Sequence, residues 1–322
     1  MDDGRIALAQ QAEALAGVPV LAMVPAGQGA NSHIVRLETQ TGPLALKVYP
    51  RRPGDQRDRL EVEWQALRFL GESGLTQAPR AIARDDANRL MLMEWIDGDI
   101  ITRHQPGDLD DALRFVEGIF RASQDAGASS FPLASEACLS ATEICRQIDQ
   151  RFNSFVDYAP LDRALGDIVK PAYAAARTTI ASELVTPSDL APSERRLIPA
   201  DFGFHNAIRQ HDGTVRYIDF DYFGWDDPVK CIADFVVHPA MSLDADERAK
   251  VVARLTNALP DSVGASARLR RHLPLYAIRW ALILLNAFRK DRAAALPADE
   301  DARSTVFVRQ WQKARDMIER YR

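Results

Sequence analysis

Residues 198–221 read IPADFGFHNAIRQHDGTVRYIDFD and are the most informative segment of the sequence. Its two halves are short and β-prone, and His211-Asp212-Gly213 forms a predicted turn between them, so the pattern predicts a β-hairpin. The first half carries Asp201 and Asn206, and the second half carries Asp219. A hairpin across the turn brings Asn206 and Asp219 side by side.

These three polar residues form a candidate site for metal-assisted chemistry. Carboxylate and amide oxygens are ligands that Mg²⁺ accepts while it keeps waters and phosphate contacts, which makes Asn206 and Asp219 candidate metal ligands. Asp201, just upstream, can then take a proton from an attacking hydroxyl. Taken alone, Asp201 is more typical of a turn or a helix cap. Its spacing to Asn206 and Asp219 favours the catalytic interpretation.

Upstream, residues 19–96 are predicted to form strands with one helix. Lys47 lies in the apolar strand 44–49, where a lysine is costly unless its charge is paired or its tip is solvated. The helix predicted over residues 58–70 offers Glu63 as a partner. An edge-strand position is the alternative explanation for Lys47. Glu61 lies on the same helix but faces elsewhere.

A glycine-containing loop lies between the first two predicted strands, over residues 27–32. Gly27 and Gly29 allow backbone N–H groups to approach an anion closely, which is typical of phosphate-binding loops. A tight turn between strands is the alternative interpretation.

Downstream of residue 105 the periodicity becomes helical, with predicted helices over 136–157, 161–183, 244–258, 273–289 and 302–321. The segment 197–223 is the one β-prone island among them. Asp227 followed by Pro228 is typical of a helix start, with Asp as N-cap. The sequence therefore predicts a small β-rich region followed by a large helical region with a polar β insert.

In order and spacing, these motifs resemble the aminoglycoside phosphotransferase and choline kinase family, small-molecule relatives of the protein kinases. The resemblance runs from about residue 20 to residue 290. Asp201 and Asn206 match the D-x4-N catalytic loop of the family, and Asp219 matches its metal-binding aspartate. Residues 27–32 resemble the loop that covers the phosphates. Lys47 and Glu63 match the nucleotide lysine and its helix partner.

The resemblance implies a two-lobed, protein-kinase-like α+β fold. A small β-rich nucleotide-binding lobe is expected over residues 1–97, and a larger, mainly helical catalytic and substrate-binding lobe over residues 98–322. The implied activity is transfer of the γ-phosphoryl group of ATP or GTP, with Mg²⁺, to a hydroxyl of a small metabolite such as a sugar, amino sugar or amino alcohol. The residues implied to bind the nucleotide are Gly27, Gly29, Asn31, Ser32, Lys47, Glu63, Met93, Glu94 and Ile96, the last three through backbone groups near the nucleobase.

Two positions depart from the family pattern. Pro199 stands where the family usually has a histidine, and Asp221 stands where the Asp-Phe-Gly-like triplet would have its glycine. The first departure leaves open a pseudokinase that binds nucleotide or a partner without phosphoryl transfer. An unrelated helical binding protein is the more distant alternative.

The composition excludes several other classes of protein. The 322 residues include 40 Lys and Arg against 45 Asp and Glu, a net charge of −5, and no basic block, so neither nucleic acid nor an anionic membrane is expected as a partner. Three cysteines without a CxxC pair and six histidines without a clustered motif argue against a disulfide framework or a zinc site. We expect a cytoplasmic protein from its acidic N-terminus and from apolar stretches too short to span a membrane.

Overall fold

The computed structural model describes residues 3–28, 32–51 and 57–322. Contacts between residues divide the chain into two compact units. The first comprises Met1–Ser135 and Leu197–Trp225, and the second comprises Glu136–Arg196 and Asp226–Arg322. The lobe boundary expected between residues 97 and 98 stays a prediction.

An antiparallel five-stranded sheet dominates the N-terminal part of the first unit. Its strands are β1 (Val20–Gln28), β2 (His33–Thr39), β3 (Gly42–Val48), β4 (Ala81–Asp85) and β5 (Leu90–Glu94). They lie in the order β1-β2-β3-β5-β4. Because β3 lies between β2 and β5, Lys47 is on an interior strand, and the edge-strand alternative is wrong.

Two helices accompany this sheet. Helix α1 (Asp3–Ala16) has no counterpart in the sequence prediction. It contributes Ala12 to a buried apolar cluster with Leu37, Leu46, Leu90 and Leu92. Helix α2 (Arg59–Glu72) begins where predicted, with Asp58 as the N-cap accepting a hydrogen bond from the Glu61 amide at 3.1 Å.

The β-prone island returns to the first unit as short strands. Strand β6 (Asp99–Ile100) and helix α3 (Asp108–Ala122) precede the island in the chain. The island itself forms β7 (Arg196–Ile198), β8 (Ala207–Arg209), β9 (Val215–Tyr217) and β10 (Gly224–Asp226). Strands β6, β8 and β9 form one antiparallel sheet, and β10 pairs with β7. The predicted hairpin across residues 211–213 is confirmed as the β8–β9 pair.

The second unit is helical. Its helices are α4 (Ala141–Asn153), α5 (Ala159–Ala164), α6 (Lys170–Thr179), α7 (Ala181–Val185), α8 (Pro228–Val237), α9 (Ala245–Asn257), α10 (Ser262–Leu284) and α11 (Glu300–Arg320). Helix α10 packs against α4, α6, α8, α9 and α11. As predicted, Asp227 caps α8 by accepting a hydrogen bond from the Val229 amide at 2.8 Å. None of the described helices is long and apolar enough to cross a membrane.

Helix α10 starts eleven residues earlier than the sequence suggested, at Ser262 instead of Leu273, and continues through Pro274. The sequence places a basic run over residues 268–271, which is typical of a solvated face. In the structure Arg268 is largely buried and donates to both carboxylate oxygens of Asp227, at 2.9 and 3.1 Å. A charged residue with such a partner belongs to the packed side of a helix, which the sequence pattern does not reveal.

An ionic cluster lies inside the second unit. The Lys230 ammonium lies 3.2 Å from carboxylate oxygens of both Asp226 and Asp234. Asp226 is fully buried, and its Oδ1 accepts hydrogen bonds from the backbone amides of Cys138 and Asp227, both at 2.7 Å. Nearby, Glu136 forms ion pairs with Arg151 and Arg279.

Candidate active site

The β8–β9 hairpin places the predicted metal ligands at its open end. Ala207 pairs with Tyr217, and the Ile218 amide donates to the Asn206 carbonyl oxygen at 2.9 Å. Ile218 is therefore paired with Asn206, and Asp219 is the next residue in the chain. Asn206 immediately precedes β8 and Asp219 follows two residues after the end of β9, so both residues lie at the open end of the hairpin.

Lys47 joins two of the predicted residues. Its Nζ lies 2.6 Å from Oε2 of Glu63 and 2.8 Å from Oδ1 of Asp219. The Lys47 and Glu63 side chains are only 3% and 1% exposed, whereas that of Asp219 is 41% exposed. The ammonium is thus held from the interior by one carboxylate and faces a second carboxylate that solvent reaches.

Glu63 is fixed by two further contacts. The Tyr49 hydroxyl donates to Oε2 at 2.8 Å, and the Phe220 amide donates to Oε1 at 3.2 Å. Tyr49 was missed in the sequence analysis. The alternation of a strand places residues two apart on the same face, so a tyrosine two positions after Lys47 was a usable signal.

Electrostatics keep the lysine charged. Burial lowers the pKa of the Lys47 ammonium, but the carboxylates of Glu63, Asp219 and Asp221 outweigh it and raise that pKa above its ordinary value. Burial raises the pKa of the Glu63 carboxyl, Lys47 opposes this effect, and Asp219 and Asp221 add to it. The site is therefore a cation surrounded by more carboxylates than it can neutralise.

Asp221, which replaces the expected glycine, is buried and paired. Its side chain is 2% exposed, and Oδ2 lies 2.7 Å from NH1 of Arg59. The Arg59 guanidinium also lies over the Tyr222 ring, 4.7 Å from its centroid. Burial raises the pKa of Asp221, Asp219 adds to this, and Lys47 and Arg59 oppose it. Arg59 was also missed, although a buried acid calls for a cation nearby.

The Asp201 loop has an unusual backbone. Ala200 and Asp201 have φ angles of 47° and 21°, in the left-handed region that residues other than glycine rarely adopt. The side-chain amide Nδ2 of Asn206 donates to the backbone carbonyl oxygen of Asp201 at 3.0 Å, closing the loop. Nε2 of His205 lies 3.5 Å from Oδ1 of Asp201. Strained backbone of this kind persists only where the surroundings determine it, and it concentrates at functional sites.

Aromatic packing anchors both loops. The Phe202 ring, directly after Asp201, lies 5.8 Å from Phe115 and 4.9 Å from Tyr217 between centroids. The Phe220 ring, directly after Asp219, lies 6.0 Å from the same Phe115. One residue of α3 therefore supports the loops that carry both aspartates.

The predicted phosphate-covering loop is only partly described. Gly29 and Asn31 lie outside the described residues. Gly27 belongs to β1 and pairs with Ile34, and a Cβ at this position would make only ordinary contacts, the nearest at 3.9 Å. Ser32 is buried. Gly27 therefore has no steric requirement for glycine.

The predicted nucleobase-contacting segment lies at the end of β5. Met93 is buried within the sheet and pairs with Ala45, and Ile96 is buried beyond it. Glu94 is committed to protein contacts: its amide donates to the Arg80 carbonyl oxygen at 2.9 Å, and its carboxylate accepts from Arg216 at 2.9 Å. Glu94 therefore makes no contact with the Lys47 cluster, the group formed by Lys47, Glu63, Asp219 and Asp221.

A family model described as the phosphotransferase enzyme family matches residues 23–272. The chain belongs to this family. The resemblance read from the catalytic-loop and lysine motifs is thereby confirmed. The matched region contains every residue of the Lys47 cluster and the Asp201 loop.

Solved structures of other phosphotransferases share the fold of this family member. An ADP-bound aminoglycoside phosphotransferase, APH(2'')-Ib, aligns with a TM-score of 0.57 at 15% identity, covering 99% of both chains. A spectinomycin phosphotransferase bound to ADP and spectinomycin aligns with a TM-score of 0.62 at 10% identity, covering 98% of this chain and 96% of the other. The choline kinase LicA from Streptococcus pneumoniae aligns with a TM-score of 0.61 at 15% identity, covering 98% and 99%.

No curated protein matches the sequence. At these low identities the structural matches establish the fold, and the predicted protein-kinase-like fold class is confirmed.

Proposed function

We propose that this chain is a small-molecule kinase that transfers the γ-phosphoryl group of ATP or GTP, with Mg²⁺, to a hydroxyl of a small metabolite. The observation that carries the proposal is the double contact of Lys47 with buried Glu63 and with half-exposed Asp219. A charged lysine on an interior strand is costly, and its pairing with only one fully buried carboxylate leaves the other available to a ligand.

In this proposal Lys47 donates to the α- and β-phosphates of the nucleotide. Glu63 orients the ammonium, and Tyr49 and the Phe220 amide hold Glu63 in turn. The loop of residues 27–32, of which 29–31 lie outside the described residues, is proposed to cover the phosphates, and backbone groups near Met93 to Ile96 to contact the nucleobase. Positioning and charge neutralisation of this kind make up most of the catalysis of phosphoryl transfer.

The residues present fit Mg²⁺. Lys47 and Arg59 supply two cations against three carboxylates, Glu63, Asp219 and Asp221, so the cluster carries excess negative charge on hard oxygen ligands. Asp219 and the amide oxygen of Asn206 would hold the ion. When bound, Mg²⁺ neutralises charge on the nucleotide phosphates.

Asp201 is proposed to accept the hydroxyl proton of the acceptor. Its side chain is exposed. Its loop is held by the hydrogen bond from the Asn206 side-chain amide and by the packing of Phe202 on Phe115. We propose that these contacts order the loop in the absence of the family histidine at position 199. This is why we favour an active kinase over a pseudokinase.

The family and its structural neighbours support a small-molecule acceptor. Those neighbours include phosphotransferases solved with spectinomycin, streptomycin or gentamicin, and choline kinases. We propose a sugar, amino sugar or amino alcohol as the acceptor, and no nucleic acid or membrane as a partner.

A thermal-shift screen with ATP and GTP, each with and without Mg²⁺, tests the proposal. We expect nucleotide to raise the melting temperature, and Mg²⁺ to increase that effect, because a ligand that binds the native state stabilises it by mass action. Label transfer from γ-labelled nucleotide to a panel of sugars, amino sugars, choline and amino alcohols then identifies the acceptor. An unchanged melting temperature under all conditions would contradict nucleotide binding and, with it, the proposed kinase activity.

A further inference from the structure

Two residues of α2 contact the loop that carries Asp219. Glu63 accepts from the Phe220 amide at 3.2 Å, and Arg59, one helical turn earlier, pairs with Asp221 at 2.7 Å. Residues four apart lie on the same face of a helix. One face of α2 therefore contacts both Phe220 and Asp221, the two residues that follow Asp219.

The Arg59–Asp221 pair is not an ordinary surface ion pair. The two side chains are 14% and 2% exposed, and the Tyr222 ring under the guanidinium restricts Arg59 further. A buried pair must overcome a large desolvation cost, so it is weak evidence for a purely stabilising role. Its position beside a candidate metal ligand points to a different role.

The backbone at Asp219 supports this view. Its φ angle is 69°, in the left-handed region that an aspartate adopts only at a cost. The direction of its carboxylate depends on that backbone conformation. Contacts to residues 220 and 221 from α2 hold the backbone on its C-terminal side, and the Ile218 amide is held on the other side by Asn206.

We propose that Arg59 and Asp221 are a positioning pair, which orients the Asp219 carboxylate toward the Mg²⁺ of a bound nucleotide complex. The inference rests on the proposed function. It assigns a role to the aspartate that replaces the glycine of the Asp-Phe-Gly-like triplet, since glycine could not form the ion pair to α2. Neither residue touches the nucleotide or the metal in this account.

The test compares ADP affinity in excess Mg²⁺ with ADP affinity in chelator, by titration calorimetry. We expect Asp221→Asn and Arg59→Met to weaken ADP binding in Mg²⁺ by about 10- to 100-fold, the range typical when a residue that orients a metal ligand is removed. ADP affinity in chelator should stay near the wild-type value, because Lys47 and Glu63 are intact. Arg68→Met is the matched control, since Arg68 lies on α2 in an exposed pair with Glu72.

The double variant Arg59→Met/Asp221→Asn removes both charges, so it leaves no unpaired buried charge and is expected to fold even where a single variant does not. Loss of the Mg²⁺-dependent affinity in the folded double variant supports the positioning role. If the ADP affinity of the double variant depends on Mg²⁺ as in the wild-type protein, the pair is purely structural, even if the melting temperature is lower. That result would overturn the positioning role and leave the proposed function intact. If the wild-type protein binds no nucleotide in Mg²⁺, the proposed function fails and the inference fails with it.

Discussion

Lys47 and Glu63 lie on different elements, β3 and α2, yet Nζ and Oε2 are 2.6 Å apart and both side chains are almost fully buried. The pair connects the sheet to the helix, and Asp219 extends it to the β8–β9 hairpin at 2.8 Å. The first unit alone therefore assembles the proposed phosphate and metal contacts from three separate parts of the sequence.

Lys47→Met should weaken nucleotide binding by about 10- to 100-fold, because it removes charge-assisted hydrogen bonds worth about 1.5 to 3 kcal/mol. The fold should survive, since Tyr49 and the Phe220 amide still bond to Glu63, whose raised pKa lets it take up a proton. Calorimetric titration with ADP measures the change. Lys313→Met, on the exposed side of α11, is the control. Equal affinity for the Lys47 variant and the control would remove Lys47 from the site.

Asp219→Asn should abolish most of the stabilisation that Mg²⁺ adds to bound nucleotide. The change removes a carboxylate ligand and keeps the shape of the side chain, so the melting temperature without ligand should change little. Thermal shift with ATP, with and without Mg²⁺, measures the difference. A response to Mg²⁺ equal to that of the wild-type protein would show that Asp219 does not bind the metal.

Gly98→Ala should destabilise the protein. Gly98 has a φ angle of 148°, and an added Cβ would lie 2.3 Å from the Arg209 carbonyl oxygen. Backbone strain alone costs about 1 to 3 kcal/mol, and the contact with Arg209 adds to it. The midpoint of urea unfolding should fall accordingly. Gly71→Ala is the control, because no atom lies within 4 Å of its added Cβ and α2 favours alanine there. Two variants of equal stability would contradict this account of Gly98.

The ion pairs of Glu136 should make stability depend on pH at the acid end. Burial raises the pKa of the Glu136 carboxyl, but Arg279 and Arg151 outweigh the effect of burial and lower that pKa to about 2. A depressed pKa contributes stability that is present above the ordinary value of 4.5 and is lost as the pH falls toward 2.

Glu136→Gln should therefore cost about 1 kcal/mol at pH 7, a modest amount because the side chain is partly exposed. The difference from wild type should shrink as the pH approaches 3. Urea unfolding of both proteins at several pH values measures it. A constant difference between the two proteins across this range would argue against the assigned ion pairs.

Sequence reasoning located the local parts of the site well. The β8–β9 hairpin, the strand of Lys47, the start of α2 at Asp58 and the cap of α8 at Asp227 follow from periodicity, turn residues and capping, which act within a few residues. The order of these motifs was enough to recognise the family.

The contacts that hold the site together could not be predicted in the same way. Arg59 and Asp221 are far apart in the chain, and nothing local indicates that they meet. Arg268 and His272 belong to a helix segment that is basic by composition, yet Arg268 is only 18% exposed and His272 is buried, and each pairs with an acid that is distant in the chain, Asp227 and Glu183 respectively. Helix α1 was missed, since its charged and small residues give no clear apolar stripe.

Phosphoryl transfer by the wild-type protein, compared with Asp201→Ala and Pro199→His, tests the central claim most directly. The measurement is label transfer from γ-labelled ATP in Mg²⁺ to the acceptor panel. We predict a labelled acceptor with wild type and none with Asp201→Ala, whose nucleotide affinity should be retained because the proton acceptor acts mainly in the transition state. Pro199→His should be tolerated or mildly disruptive. A wild-type protein that binds nucleotide but transfers no label, together with transfer by Pro199→His, would contradict the account and identify a pseudokinase.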